Sequence, residues 1–166
     1  MQINRRVFKT SAALFAAVLT TALVAAAAFG AEQTRESYVA QAEPICKKSA
    51  LSLEKALKGV QKKIQQNKLK PASTQFSNAA VAFEKGTNEL KVVEPPAADA
   101  AKLGKWIKQL ETGNELLRKI SKALKENKKG LAQNYIVRLS NNSKLANNLV
   151  LGFEFKYCLI DSSKFS

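Results

Sequence analysis

Histidine is absent from all 166 residues. That absence removes Ser-His-Asp and Cys-His catalysis, His-ligated metal sites and a His axial ligand for haem. Methionine occurs only at position 1, so no thioether ligand is available to haem either. The two cysteines, Cys46 and Cys158, lie 112 positions apart and form neither a CxxC redox motif nor a Cys-rich zinc site. Acids are scarce: 13 Asp and Glu stand against 27 Lys and Arg, a net charge of +14. With four prolines, strong helix breakers are few. What is present is a globular composition, 46% apolar and 24% charged. A chain of this length allows one domain and a targeting segment.

The N-terminus supplies that segment. In "MQINRRVFKT SAALFAAVLT TALVAAAAFG AEQ" a basic head (Arg5, Arg6, Lys9) precedes an apolar run from Ser11 to Phe29, with no acid before Glu32. This is the layout of a secretory signal peptide over residues 1–30. Small residues suit cleavage after Ala28 or Gly30. The run is also long enough to span a bilayer, so an uncleaved N-terminal membrane anchor is the alternative. Within the head, "NRRVFK" resembles the twin-arginine export motif, although no leucine separates Phe8 from Lys9. The other reading of Arg5 and Arg6 is the positive head of a Sec signal. Both routes imply export to the periplasm, the cell surface or the medium. Residues 31–166 then form a single helical-bundle domain carrying 24 basic and 13 acidic side chains, since three basic residues and no acid precede it.

Four amphipathic helices are expected there. Tyr38, Ala42, Ile45, Cys46, Ala50, Leu53, Leu57, Val60 and Ile64 recur at three- and four-residue steps and form one apolar stripe. Pro44 either opens this helix in its first turn or kinks a longer one there. The second helix opens at Pro71 and carries Phe76, Ala80, Phe83, Thr87 and Leu90. "VVEPPAAD" breaks the chain, and the third helix follows with Leu103, Trp106, Ile107, Leu110, Leu117, Ile120 and Leu124. "KENKKG" closes it, with Gly130 expected as a left-handed cap. The fourth carries Leu131, Tyr135, Leu139, Leu145, Ala146 and Leu149 and is expected to end at Gly152. "FEFKYC" then alternates Phe153, Phe155 and Tyr157 as an extended tail. Short connections make neighbours antiparallel, so the expected fold is all-α: an up-down-up-down four-helix bundle with an extended C-terminal tail. No internal repeat is visible.

Such a fold brings the start of the first helix and the end of the fourth to one end. Cys46 is then level with Cys158, and an exported chain oxidises an even cysteine pair, so a Cys46–Cys158 disulfide is expected. "SYVAQAEPICKKS", "WIKQL" after a Pro-Pro turn and the closing "LGFEFKYC" resemble uncharacterised exported helical proteins of actinobacteria. The resemblance supports the helical fold and the disulfide and implies no activity.

Charge is uneven. Eight lysines and one acid lie between Lys47 and Lys70; six basic residues and one acid lie between Arg118 and Lys129. Both clusters run toward helix C-termini expected to share the end remote from the disulfide. Lys62, Lys63, Lys68, Lys70, Lys125, Lys128 and Lys129 are the candidate anion-binding residues. Lysines also favour helix C-termini for the dipole alone. With few arginines or interleaved aromatics, specific nucleic-acid recognition is not expected. Phe76, Phe83, Trp106 and Tyr135 are candidates to line an apolar pocket between helices, against the plainer reading that they fill the core. Asn114 and Asn142 sit nearest the apolar stripes. Glu111 and Glu115 share a helix face but lack partners that would make an acid/base couple. No metal site and no cofactor is implied. The chain is expected to be a monomeric, non-enzymatic binding protein of the cell envelope, meeting an anionic envelope polymer or membrane surface through its lysine-rich end. The alternative is a carrier holding an apolar small molecule or cofactor between the helices.

Overall fold

The computed structural model describes residues 33–164, all within the unit Ala31–Ser166. The expected signal peptide or anchor, residues 1–30, lies outside the described residues. Among the described residues the structure is all-helical with no strand. The elements are α1 (Arg35–Leu57), α2 (Val60–Gln65), α3 (Leu69–Lys91), α4 (Ala100–Lys125) and α5 (Lys129–Leu149), with short 3-10 turns at Ala97–Asp99, Leu151–Phe153 and Ser162–Lys164.

Thr34 starts α1 by accepting the Ser37 N–H on its Oγ1 at 3.1 Å. Pro44 lies inside this helix, so the helix does not start there. The expected single helix through Ile64 does not form. The chain breaks at Gly59, whose φ of 71° is left-handed, and resumes as α2. Gln75 on α3 splices the break. Its Nε2 donates to the carbonyls of Ala56 and Lys58, each at 2.9 Å, and its Oε1 accepts from Lys63 Nζ at 2.9 Å. These bonds satisfy carbonyls orphaned at a helix end. Leu57, Val60 and Ile64 still face one core cluster, which is why periodicity alone joins the two helices.

Pro71 falls in the first turn of α3, where its missing N–H is harmless. Gly130 is not the cap after α4. Asn127 takes the left-handed conformation (φ 57°), and Gly130 belongs to α5. Asn67 does the same between α2 and α3 (φ 56°). The two turns share one hydrogen-bond pattern: Lys68 N–H to Lys63 O and Lys128 N–H to Ala123 O, both 2.8 Å, and Asn67 N–H to Ile64 O and Asn127 N–H to Leu124 O, both 3.1 Å. This is the Schellman ending with asparagine in place of glycine. Asn67 and Asn127 are 60 positions apart, and the same offset relates buried pairs on either side: Leu57 and Leu117, Val60 and Ile120, Ala72 and Ala132, Ala79 and Leu139. The structure thus contains a repeated hairpin pattern that residue identities conceal.

In the bundle, α1 packs on α3, α3 on α4 and α4 on α5. One core cluster gathers Leu53, Val60, Phe76, Leu117, Ile120 and Leu124. The other gathers Tyr38, Cys46, Trp106, Val150, Phe155 and Cys158. Helix α5 ends at Leu149, earlier than Gly152, and the tail is not extended. A 3-10 turn is followed by Glu154 at φ 55° and an irregular run. Burial of Phe153 and Phe155 dictates this path. Their rings stack at 5.5 Å, and Phe155 stacks on Trp106 at 5.7 Å. The Cys46–Cys158 disulfide is present.

Candidate functional site

Ser73 and Ser121 locate the lysine-rich region. Ser73 Oγ donates to Ser121 O at 2.8 Å and Ser121 Oγ to Ser73 O at 2.9 Å, which joins the start of α3 to the end of α4. Lys68 and Lys70 lie within about one helical turn of Ser73, and Lys125 lies one turn past Ser121. Lys62, Lys68, Lys70 and Lys125 are exposed. The other three candidates differ. Lys63 is half-buried and holds Gln75, so it serves the α1–α2 splice. Lys128 pairs with Glu126 at 2.8 Å. That hydrogen bond raises the Lys128 pKa and lowers that of Glu126. Lys129 is half-buried in the first turn of α5. The exposed lysines follow from local sequence only in part: each connection needs polar residues around its left-handed asparagine, and the last turns that carry Lys62 and Lys125 favour cations, whereas Lys68 and Lys70 stand at the start of α3, where the dipole opposes them.

Among the described residues the four candidate pocket aromatics are not gathered around one cleft. Phe76 and Trp106 are fully buried in different core clusters, and Tyr135 is half-buried against the Phe76 cluster. Phe83, which touches both clusters, alone among the four borders a cleft of about 130 Å³. The cleft lies among α1, α3 and α4 beneath the C-terminal tail. Leu53, Leu90 and Leu110 form its apolar wall, and the disulfide and Ile160 border it from the tail side.

The tail is fastened on both sides of Cys158. The Glu43 carboxylate on α1 accepts the N–H groups of Lys156 at 2.8 Å and Tyr157 at 3.0 Å. Asn147 on α5 bonds both backbone groups of Ile160. Neither residue stood out in the sequence. Glu43 was findable once the disulfide was placed, because it lies three residues before Cys46 and so on the same helix face. Asn147 was one of several asparagines on α5 with nothing to separate it from its neighbours.

A third polar group ties down the start of α1. Asp99 is 5% exposed and receives a two-pronged bond from Arg35, Nε at 2.9 Å and Nη2 at 2.8 Å. That hydrogen bond holds the Asp99 carboxyl below its ordinary pKa, against the opposing effect of desolvation. The same guanidinium lies 4.8 Å from the centre of the Phe153 ring. Burial alone pushes the Tyr38 hydroxyl up to about 12. Asn142 is buried and donates to Gln109 O at 2.8 Å, acting as polar glue between α5 and α4. Asn114 is also buried. Glu111 pairs with Lys91 at 2.8 Å and Glu115 with Lys119 at 3.9 Å, on exposed faces. No family model, curated protein or solved structure matches this chain.

Proposed function

We propose that the chain is an exported, monomeric, non-enzymatic binding protein of the cell envelope, an up-down-up-down bundle whose lysine-rich end meets anionic polymers or lipid surfaces. Contacts that descend along one helix as they ascend along the next support the arrangement: Lys48 with Glu89 and Ala56 with Gln75, then Ser73 with Ser121 and Lys91 with Glu111. The observation that carries the function is the reciprocal Ser73–Ser121 bond, which gathers exposed lysines of two connections at one end of the α3–α4 pair. Lysine suits a diffuse anionic surface better than a planar, bidentate target. Attraction of this kind is long-ranged at low salt and screened within about 8 Å at physiological ionic strength.

The size of the cleft favours this reading over the carrier. Pockets for whole cofactors or drug-sized ligands run to roughly 300–1,000 Å³; the cleft that reaches in among α1, α3 and α4 is about 130 Å³, and the spaces of about 340–580 Å³ are open grooves on the surface. Cosedimentation with phosphatidylglycerol vesicles tests the proposal. Binding at low salt that falls steeply as salt rises, with none to phosphatidylcholine vesicles, is the expected result. A protein that ignores the anionic vesicles at low salt would remove the reading.

A further inference from the structure

The outer face of α5 differs from those of the other long helices. α1, α3 and α4 each carry acids, and α5 carries none. Its exposed cations, Arg138 and Lys144, enter no ion pair among the described residues. Arg138 lies 5.7 Å from the centre of the Tyr135 ring, a contact that leaves its charge unneutralised. Large apolar side chains also stand out from α5: Leu131 is 40% exposed, Val137 60% and Leu145 56%. The longer α4 exposes none of that kind. These residues share a register. Leu131, Arg138 and Leu145 recur every seven positions, and so do Asn134, Asn141 and Asn148, three positions behind. That is the a and d spacing of a coiled-coil seam. The asparagines are exposed, and their side chains make no hydrogen bond among the described residues.

We propose that this face docks an acidic amphipathic helix of a partner protein. From Leu131 to Asn148 the seam runs about 25 Å, enough for a partner helix of about three heptads. Aliphatic side chains of that helix pack on Leu131, Val137 and Leu145. Its amides or hydroxyls meet the asparagines, each of which offers a donor and an acceptor. Its flanking carboxylates pair with Arg138 and Lys144, since charges beside such a seam set partner choice and orientation. A second copy of this chain suits the spacing and not the charge. In an antiparallel pair centred on Asn141, Arg138 would face Lys144 of the other copy, and in a parallel pair it would face Arg138. A lipid surface suits the charge and not the amides, because the asparagines interrupt the continuous apolar face that an interfacial helix buries. The docking does not depend on what the lysine-rich end binds.

Two synthetic three-heptad peptides test this, titrated into the oxidised full chain and followed by NMR. Both carry leucine at a and asparagine at d; one has glutamate at e and g, the other lysine. The acidic peptide should give saturable shifts at Asn134, Val137, Asn141 and Leu145, and the basic peptide should bind roughly tenfold more weakly or less. Arg138→Glu with Lys144→Glu should reverse that preference. Val137→Gln with Leu145→Gln should weaken the acidic peptide several-fold, and these exposed positions leave the core intact. Equal binding of the two peptides by the unaltered chain, shifts confined to the lysine-rich end, or no saturable shift with either peptide would each overturn the proposal. So would self-association of the chain through α5 without peptide, which would assign the face to a second copy. Signal loss along α5 with phosphatidylglycerol vesicles and none with the acidic peptide would assign it to lipid and overturn the proposal as well.

Discussion

Asn147 holds Ile160 by both of its backbone groups: Nδ2 donates to the carbonyl at 3.0 Å, and Oδ1 accepts from the N–H at 2.8 Å. One carboxamide does here what a neighbouring strand would do, because it carries a donor and an acceptor side by side. Asn147→Ala should therefore speed amide exchange at Ile160 and cost about 1–3 kcal/mol of stability. Asn147→Asp keeps the acceptor and loses the donor, so Ile160 N–H protection should persist while stability falls. Unchanged exchange at Ile160 in the alanine variant would show that the tail is held without Asn147.

The disulfide closes a loop spanning a separation of 112 residues. On chain entropy alone it should contribute about 4–5 kcal/mol. Thiol counting on the denatured, unreduced protein should find no free thiol. Cys46→Ser with Cys158→Ser should lower the urea midpoint by a corresponding amount. A midpoint that does not move would mean the tail clamps carry the closure unaided.

Two helical glycines should respond in opposite directions to alanine. A Cβ at Gly86 would meet Ser49 Oγ at 2.5 Å and Ser49 Cβ at 2.6 Å, so Gly86→Ala forces α1 and α3 apart. A loss of about 1–3 kcal/mol is expected from that overpacking, and Ser49→Gly in the same chain should recover much of it. Gly104 is exposed in α4 with nothing within 4 Å of its added Cβ. Gly104→Ala should stabilise by about 0.4–1 kcal/mol through the unfolded chain. Paired denaturation curves check both signs.

Acid should loosen the Arg35–Asp99 tie. The Asp99 carboxyl is held below its ordinary value chiefly by the Arg35 hydrogen bond, so the folded state binds its proton less readily than the unfolded chain does. The stabilisation is present above the unfolded value, about 4, and is lost as pH falls through the lowered folded value. Asp99→Asn should reduce stability at pH 7 and shrink the further loss between pH 4 and pH 2, measured by urea midpoints. An unaltered acid dependence would assign that loss to other carboxylates.

The sequence made the helices and disulfide legible because both follow from strong signals: apolar stripes at helical spacing and a lone pair of cysteines in a chain expected to be exported. It misled where a helix ending depends on one residue's backbone. Gly59 sits within an unbroken stripe, and the stripe hid the signal of the glycine itself, the ordinary residue for a left-handed helix ending. Asn127 takes the left-handed position three residues before Gly130, which lies inside α5. The lysine-rich region was visible as composition, but the roles of individual lysines were not. Lys63 is drawn to Gln75, and that partner exists only once α3 lies beside the Gly59 break. The separate surroundings of the aromatics were hidden for a related reason. Helical spacing places Phe76 and Trp106 on inward faces without saying that they enter different clusters.

The most direct measurement of the central claim compares two charge reversals in one vesicle assay. One variant changes Lys62, Lys68, Lys70 and Lys125 to glutamate, sparing Lys63 and Lys128 because they have intramolecular partners. The other changes Lys102, Lys105, Lys144 and Lys156, exposed lysines on α4, α5 and the tail. Both alter net charge equally. Binding to phosphatidylglycerol vesicles should disappear in the first and largely survive in the second, with both proteins folded by circular dichroism. Equal losses in the two would contradict the account, because attraction would then belong to net charge and not to the lysine-rich end.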